Sequence, residues 1–316
     1  MMINRRGIKI PGPGAGMPGA GLGLFCCLFL ALSFFGACAS SSAGPRAFYS
    51  GRRDFSLMGP GADLYIKAEV QSVRPILEGL ILGGLTGAEI KEFLDMCETL
   101  TAAVYMGEER RFYAAAAGRF PSARGGFFFG ISRDWEKRKS ASGVDYWYSD
   151  KSKLGVFLTG KNAYLSNADP FVPPPGVRIP DGIGPLQNGA VLLGWMEDPA
   201  SALNTIVAAF GVPIAIPAER LIFGVYPGGG ENLNYTAVLR FETPTPSQAN
   251  ALVRIFTLAR AGIAGADFTG RPDLESLARA FFSGGSPRQE GNALILTSGP
   301  MSGQDLALLF NIISLY

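Results

Sequence analysis

The sequence predicts an α+β fold, in which an N-terminal signal peptide precedes a tandem duplication of a ferredoxin-like β-α-β-β-α-β unit. Segments with alternating apolar residues, typical of strands, are interspersed with amphipathic helical segments from residue 61 onwards. A proline-rich stretch at 170–188 divides this part of the chain, and the order of predicted elements then begins again. A single continuous α+β domain is the alternative architecture.

Matching segments in the two halves support the duplication. The pattern VYxG followed by RF occurs at 104–120 and again at 225–241, an offset of 121 residues. The segment 162–166 resembles 292–297 at an offset of 130 residues. Because the two offsets are similar, we expect the same elements in the same order in both halves.

The chain begins with the features of a signal peptide. Arg5, Arg6 and Lys9 precede an apolar run at 22–35, and the next charged residue is Arg46. This run is shorter than the roughly 20 apolar residues that a membrane-spanning helix needs. Glycine and proline fill the chain before the run and prevent a longer helix. We therefore predict a cleaved signal rather than a permanent transmembrane helix.

The end of the apolar run, Phe35-Gly36-Ala37-Cys38, resembles the lipobox of bacterial membrane lipoproteins. Phe35 stands where leucine is commonest in that family, and looser boxes of this kind are similar to those of spirochaete lipoproteins. The resemblance implies that residues 1–37 are removed, that the Cys38 thiol receives a diacylglycerol, and that the new amino group is acylated, with palmitate as a typical chain. Several acyl chains on one residue form a stable anchor, since each buried CH₂ contributes about 0.8 kcal/mol.

The alternative is an ordinary signal-peptidase cut after Ala37-Cys38-Ala39, which would release an exported protein without an anchor. Residues 38–60 are small, polar and rich in turn formers, and we predict a flexible tether there. Lipidation of Cys38 would hold the protein at the cell envelope, either at the outer membrane or at the periplasmic face of the inner membrane.

Composition excludes several classes of function. Of the 316 residues, 47% are hydrophobic and 17% are charged. A chain of this length and apolar content can form one large or two small folded units. Removal of the signal reduces the 28 basic residues to 25, against 26 acidic residues. Because no basic surplus remains to neutralise phosphates, we expect no nucleic-acid partner.

The sequence also restricts covalent and metal chemistry. It contains no histidine, which excludes histidine-based triads, cysteine–histidine dyads and HExxH zinc sites. Of four cysteines, two lie in the signal and a third is Cys38, so Cys97 has no partner for an intrachain disulfide in the fold. We expect no catalytic residue, no cofactor and no metal site.

The first repeat, residues 61–169, is predicted to begin with a strand in which alternate residues of 64–70 face the core. A helix follows from Pro75, which suits the first helical turn. The spacing of apolar residues from Ile90 to Cys97 predicts a second helix, with Cys97 as a buried apolar residue. Further predicted elements are a helix ending at the charged cluster 133–139, and strands at 99–106, 111–118, 146–148, 154–159 and 162–166.

After the linker at 170–188, the second repeat occupies residues 189–316. Thr245 and Gln248 form a capping box with Pro246 at the first helical position, which predicts the start of a helix. The other predicted elements are strands at 190–196, 221–226, 233–241 and 293–297, a helix start at Asp198-Pro199, and helices around 274–281 and 306–313.

Two pairs of neighbouring carboxylates, Glu108 with Glu109 and Glu197 with Asp198, are of a kind that could supply an acid and a base. Both pairs occupy predicted turn or helix-start positions, where acidic residues serve for solvation and capping. Tyr146-Trp147-Tyr148 could form an aromatic platform for a ligand, but aromatic residues in a strand commonly pack on the sheet. We interpret both carboxylate pairs and the aromatic strand as structural, and the charged cluster 133–139 as a solvated helix end.

The sequence therefore predicts a lipid-anchored cell-envelope protein that binds or scaffolds and does not catalyse. Its expected partners are the membrane, through the lipid, and an envelope protein that the sequence does not specify. One alternative is a carrier whose apolar ligand lies between the repeats, lined by Phe127-Phe128-Phe129 and Phe281-Phe282. Another is a histidine-free hydrolase that uses carboxylates or a serine–lysine pair.

Overall fold

The computed structural model describes residues 55–79, 91, 94–107, 110–120, 129–171, 176–200, 204, 216–228, 234–263 and 272–314. The predicted signal peptide, Cys38 and most of the predicted tether lie outside these residues. Within the described residues, thirteen strands pair into one antiparallel sheet with helices packed on it. The predicted α+β class is confirmed.

The strands are β1 Leu64–Glu69, β2 Cys97–Tyr105, β3 Arg111–Gly118, β4 Glu136–Lys139, β5 Asp145–Ser149, β6 Leu154–Leu158, β7 Asn162–Ser166, β8 Leu192–Glu197, β9 Arg220–Pro227, β10 Asn234–Glu242, β11 Arg288–Glu290, β12 Ala293–Thr297 and β13 Met301–Ser302. The helices are α1 Arg74–Gly79, α2 Gly184–Gln187, α3 Pro246–Gly262, α4 Pro272–Phe282 and α5 Gly303–Ser314. Short 3-10 turns occupy Phe55–Leu57 and Asp181–Ile183.

The sheet has the same order on both sides of a central joint. β1 pairs antiparallel with β8, with Leu64 opposite Met196. From this joint outwards, the order is β1-β2-β3-β7-β6 on one side and β8-β9-β10-β12-β11 on the other, and the β5–β4 hairpin extends the first side. The ferredoxin-like order is not confirmed, because a ferredoxin-like unit contains a split parallel pair and the described pairs are all antiparallel.

Local sequence signals account for most element boundaries. Thr245 caps α3, since its side chain accepts a hydrogen bond from the Gln248 backbone N–H at 3.3 Å and Pro246 occupies the first turn. One predicted helix is wrong: residues 136–139 of the charged cluster form strand β4 at the edge of the sheet. Lysines and other charges on an edge strand oppose pairing with further strands, which gives this cluster a role in a strand that it would not have in a helix.

One face of the sheet is covered by helices. α1 from the first half and α5 from the second half lie against each other, and a Cβ added at Gly303 would come within 2.8 Å of the Pro75 side chain. The Tyr235 hydroxyl on β10 donates a 2.9 Å hydrogen bond to the Ser72 carbonyl next to α1. The two halves therefore share one core on this face. None of the described helices combines the length and apolar character needed to cross a membrane.

The opposite face is covered by two segments that lie outside the sheet. Residues 55–62, at the end of the predicted tether, lie over the β1–β8 joint together with residues from the predicted linker. Ile183 of that linker is buried, and the Tyr226 hydroxyl donates a 2.6 Å hydrogen bond to the Leu186 carbonyl. β1 is thus enclosed on both faces, and Tyr65, predicted to face solvent, is 1% exposed.

Candidate functional site

The segment at 55–62, called here the docked segment, is the point where the predicted tether enters the fold. Phe55 and Met58 are buried, and the Phe55 ring meets the edge of Trp195 with a centroid distance of 4.6 Å. The Met58 carbonyl accepts hydrogen bonds from the Gly176 and Val177 backbone N–H groups at 3.0 and 3.1 Å. These contacts fix the end of the tether at the centre of the sheet.

Three aromatic side chains, called here the aromatic seat, hold the docked segment: Tyr65 on β1, Tyr105 on β2 and Trp195 on β8. The Tyr65 ring stacks on Trp195 at 4.5 Å. Its hydroxyl accepts from the Ala62 N–H and donates to the Gly59 carbonyl, both at 2.9 Å. The Tyr105 hydroxyl lies 3.2 Å from the same carbonyl oxygen. The seat therefore recognises backbone groups as well as apolar side chains.

The tyrosines of the aromatic seat are suited to donate hydrogen bonds. Burial raises the pKa of Tyr65 above its ordinary value, and the nearby Glu197 and Asp63 charges act in the same direction. Burial also raises the pKa of Tyr105. Both hydroxyls are therefore protonated at neutral pH and can donate hydrogen bonds to the docked segment.

A charged network extends from Trp195 across the same face of the sheet. The Trp195 indole N–H donates to Glu197 at 3.1 Å, and the Arg220 Nε lies 3.0 Å from the other Glu197 carboxylate oxygen. Arg220 also contacts Glu242 at 3.2 Å, and Arg240 joins Glu242 at 3.2 Å. The charges alternate in sign along β8, β9 and β10, so this network ties neighbouring strands together.

The predicted carboxylate pairs do not form an acid–base site in the part of the chain that the structure describes. Glu197 was predicted at a turn or helix start, but it is the last residue of β8, where it is engaged by Arg220 and by the Trp195 indole. Asp198 lies at the end of β8, and its backbone N–H donates to the Glu219 carbonyl. Glu108 and Glu109 lie outside the described residues. Among the described residues, no group of three or more acidic or cysteine side chains could hold a metal ion.

The charged and aromatic segments of the first half form one surface at the β4 edge. Lys137 pairs with Asp145 at 2.7 Å, and this contact lowers the pKa of Asp145. The Arg138 guanidinium lies 3.8 Å from the centre of the Tyr148 ring. Tyr148 is buried, which confirms that the aromatic strand packs on the sheet.

The phenylalanines proposed to line a cavity have different environments. Phe129 is buried, with Trp135 at 4.6 Å and Trp147 at 5.8 Å. Phe281 and Phe282 meet edge to face at 5.2 Å on α4, in the second half of the chain. Phe127 and Phe128 lie outside the described residues. Phe129 is part of the buried core cluster, and Phe281 packs against that cluster while it is only partly buried.

Cys97 is confirmed as a buried apolar residue, although it begins strand β2 rather than ending a helix. Its side chain is 1% exposed, and burial raises the pKa of its thiol. A thiol that is both inaccessible and protonated reacts slowly, because the thiolate is the nucleophile.

The burial of Cys97 predicts selective labelling of Cys38. In the mature chain produced without lipid, a maleimide at neutral pH should modify one cysteine in the folded protein and two in urea. Mass spectrometry of the digested protein would locate the label. The Cys38→Ala variant serves as the control and should take up no label while folded, whereas rapid labelling of Cys97 in that variant would contradict its burial.

Comparison with known proteins relates this chain to a lipoprotein family. Residues 51–164, from the end of the predicted tether to within β7, match the family model described as outer membrane-associated lipoprotein TP0453, a spirochaete protein. The chain resembles an outer membrane-associated lipoprotein. The resemblance to spirochaete lipoproteins predicted from the sequence is confirmed, and so is the predicted localisation as an exported protein lipid-anchored to the cell envelope.

Solved structures of TP0453 are similar to this chain over most of both lengths. Crystal form IV aligns with a TM-score of 0.57 at 15% identity, covering 84% of this chain and 99% of that one. Crystal form III gives 0.54 at 15% identity, with 81% and 97% covered. Crystal form I gives 0.56 at 17% identity, with 85% and 100% covered. At these identities the likeness shows a shared fold, and no curated protein sequence matches the chain.

The docked segment and the aromatic seat were not predicted from the sequence. Phe55, Leu57 and Met58 form a short apolar cluster just before Gly59-Pro60-Gly61, and this cluster is the signal that could have indicated a packed segment inside the predicted tether. Tyr65 lies at a strand position facing away from the predicted core, so its burial follows only from the three-dimensional arrangement.

Proposed function

We propose that this chain is a lipid-anchored binding or scaffolding module of the cell envelope, attached to its membrane through Cys38. The docked segment is the observation that supports this most directly, because the predicted tether ends in a buried, hydrogen-bonded position at the centre of the sheet. A rigid attachment at this point suits a protein that presents the edges and faces of its sheet to a partner.

The length of the tether sets the distance between the fold and the membrane. Roughly 17 residues separate Cys38 from Phe55. A random coil of that length has a root-mean-square span of about 23 Å, and its full extension is about 60 Å. The folded part would therefore stay within reach of one membrane surface, and the family that matches residues 51–164 favours the outer membrane.

A binding role fits the chemistry of the described residues better than catalysis does. The candidate acid Glu197 forms an ion pair with Arg220, and the two tyrosine hydroxyls of the aromatic seat are engaged by the docked segment. Phe129, one of the proposed lining residues of a carrier, packs within the core instead. These contacts favour the scaffold over both the hydrolase and the carrier.

The repeated strand order supports a further part of this proposal, namely that the two halves arose by duplication. Strands β1, β2 and β3 of the first half correspond in position to strands β8, β9 and β10 of the second half. The pairs β6–β7 and β11–β12 then occupy equivalent outer places. Under this proposal the repeats span residues 61–169 and 189–316.

Metabolic labelling with palmitate tests the anchor. The wild-type chain expressed with its own signal should incorporate the label and fractionate with membranes, whereas Cys38→Ala should lose both properties because the acceptor thiol is missing. Cys97→Ala is the matched control and should incorporate palmitate like the wild type. Equal incorporation in wild type and Cys38→Ala would refute lipidation at this residue.

A further inference from the structure

We infer that the docked segment is a force-sensitive latch: load on the lipid tether releases residues 55–62 from the aromatic seat while the sheet stays folded. The latch rests on the proposed attachment at Cys38, which makes the tether the path along which any pull from the membrane reaches the fold. Release would uncover a surface across the β1–β8 joint that is buried in the latched state.

Load on the tether reaches the contacts of the docked segment one at a time. A pull from the tether arrives at Phe55 and passes to Met58 and then to Gly59 before it reaches β1. Each position is held by a separate contact: the Phe55–Trp195 ring contact, the two hydrogen bonds to the Met58 carbonyl, and the tyrosine hydroxyls at the Gly59 carbonyl. Contacts loaded one after another yield at a lower force than contacts loaded together.

Strand β1, the next element along the chain, is held more strongly than the docked segment. It pairs along its whole length with β2 on one edge, and with β8 on the other. A pull along the strand against the far end of the sheet loads both ladders in shear, so the paired positions must yield together. The latch therefore opens before β1 leaves the sheet.

The uncovered surface has a defined chemistry. It would present the aromatic seat, with two tyrosine hydroxyls that have lost their carbonyl partners. Next to the seat, the apolar side chains of Ala103 and Leu193 belong to the same buried cluster as the docked segment. The docked segment places apolar side chains and hydrogen-bonded backbone carbonyls on this surface in the latched state. The open state would therefore accept another apolar peptide segment, supplied by an envelope protein.

Single-molecule force measurement tests the latch on the mature chain without lipid. DNA handles are attached to Cys38 and to a second thiol, Lys161→Cys, while buried Cys97 does not react. Lys161 is exposed and lies beside Gly118, at the end of the sheet opposite to the start of β1, so the load runs along the strands. We expect a short early extension of up to about 3 nm, the length of roughly eight residues, before the main unfolding step. Main unfolding without an earlier short step would overturn the latch.

Two conservative variants locate the step. Tyr105→Phe removes a hydroxyl from the Gly59 carbonyl but keeps the ring, which contacts Tyr113 at 5.7 Å, and it should lower the force of the early step. Tyr226→Phe is the matched control, because its hydroxyl bonds to Leu186 in the other covering segment, and it should leave that force unchanged. An early step that responds to Tyr226→Phe and not to Tyr105→Phe would overturn the assignment to the docked segment. Since the chain carries no lipid here, failure of this test is distinct from failure of palmitate labelling.

Discussion

Replacement of Trp195 by alanine is expected to lower the free energy of unfolding by about 3–5 kcal/mol. Trp195 is 0% exposed and lies between Phe55 and Tyr65, so its removal leaves a cavity under the docked segment. The substitution also deprives Glu197 of the indole N–H at 3.1 Å. Urea denaturation followed by far-ultraviolet circular dichroism would measure the change without relying on tryptophan fluorescence.

The matched control for this prediction is Leu258→Ala on α3. Leu258 is 72% exposed, so its truncation should change the free energy of unfolding by no more than about 0.5 kcal/mol. A Trp195→Ala protein as stable as Leu258→Ala would show that the joint between the halves does not depend on the aromatic seat.

The sequence predicted the elements well where the signal is local. The strand predicted at 233–241 is confirmed as β10, in which Tyr235, Ala237 and Phe241 are buried. The capping box at Thr245 likewise places the start of α3 correctly, because a cap involves residues only three positions apart.

The order of the strands could not be predicted from such local signals. β1 and β8 are separated by more than a hundred residues, and nothing in either strand specifies the other as its partner. Alternation predicts a strand with one buried face, but β1 is enclosed on both faces because the docked segment covers the side that carries Tyr65. The many charged residues of the cluster at β4 fit a helix end and an edge strand equally well. Only the position of this segment at the edge of the sheet shows that it is a strand.

The candidate site likewise has one part that local sequence signals predict and one part that they do not. Cys38 was identified from four consecutive residues and a preceding apolar run, and it lies outside the described residues. The aromatic seat combines residues from β1, β2 and β8 with the end of the tether, so it exists only after the joint has formed. A sequence pattern can therefore indicate where the chain is attached, while the place at which the attachment meets the fold depends on long-range pairing.

Replacement of Gly194 by alanine tests that joint directly and should lower the free energy of unfolding by about 3 kcal/mol. Gly194 lies opposite Ile66 in the β1–β8 pair. An added Cβ would collide with the Tyr65 backbone carbonyl and lie 2.6 Å from the Phe223 ring, so β8 would have to move away from β1. Chemical denaturation of the whole chain would measure the loss, and a single cooperative transition would indicate that both halves unfold together.

Gly262→Ala is expected to change the free energy of unfolding in the opposite direction. Gly262 ends α3, and an added Cβ would meet no heavy atom within 4 Å. Alanine there should raise the free energy of unfolding by about 0.4–1 kcal/mol, because it restricts the unfolded chain without straining the fold. If Gly194→Ala were as well tolerated as Gly262→Ala, β1 and β8 could not be in the close contact that joins the halves into one sheet. A pull on the docked segment would then act on the first half alone.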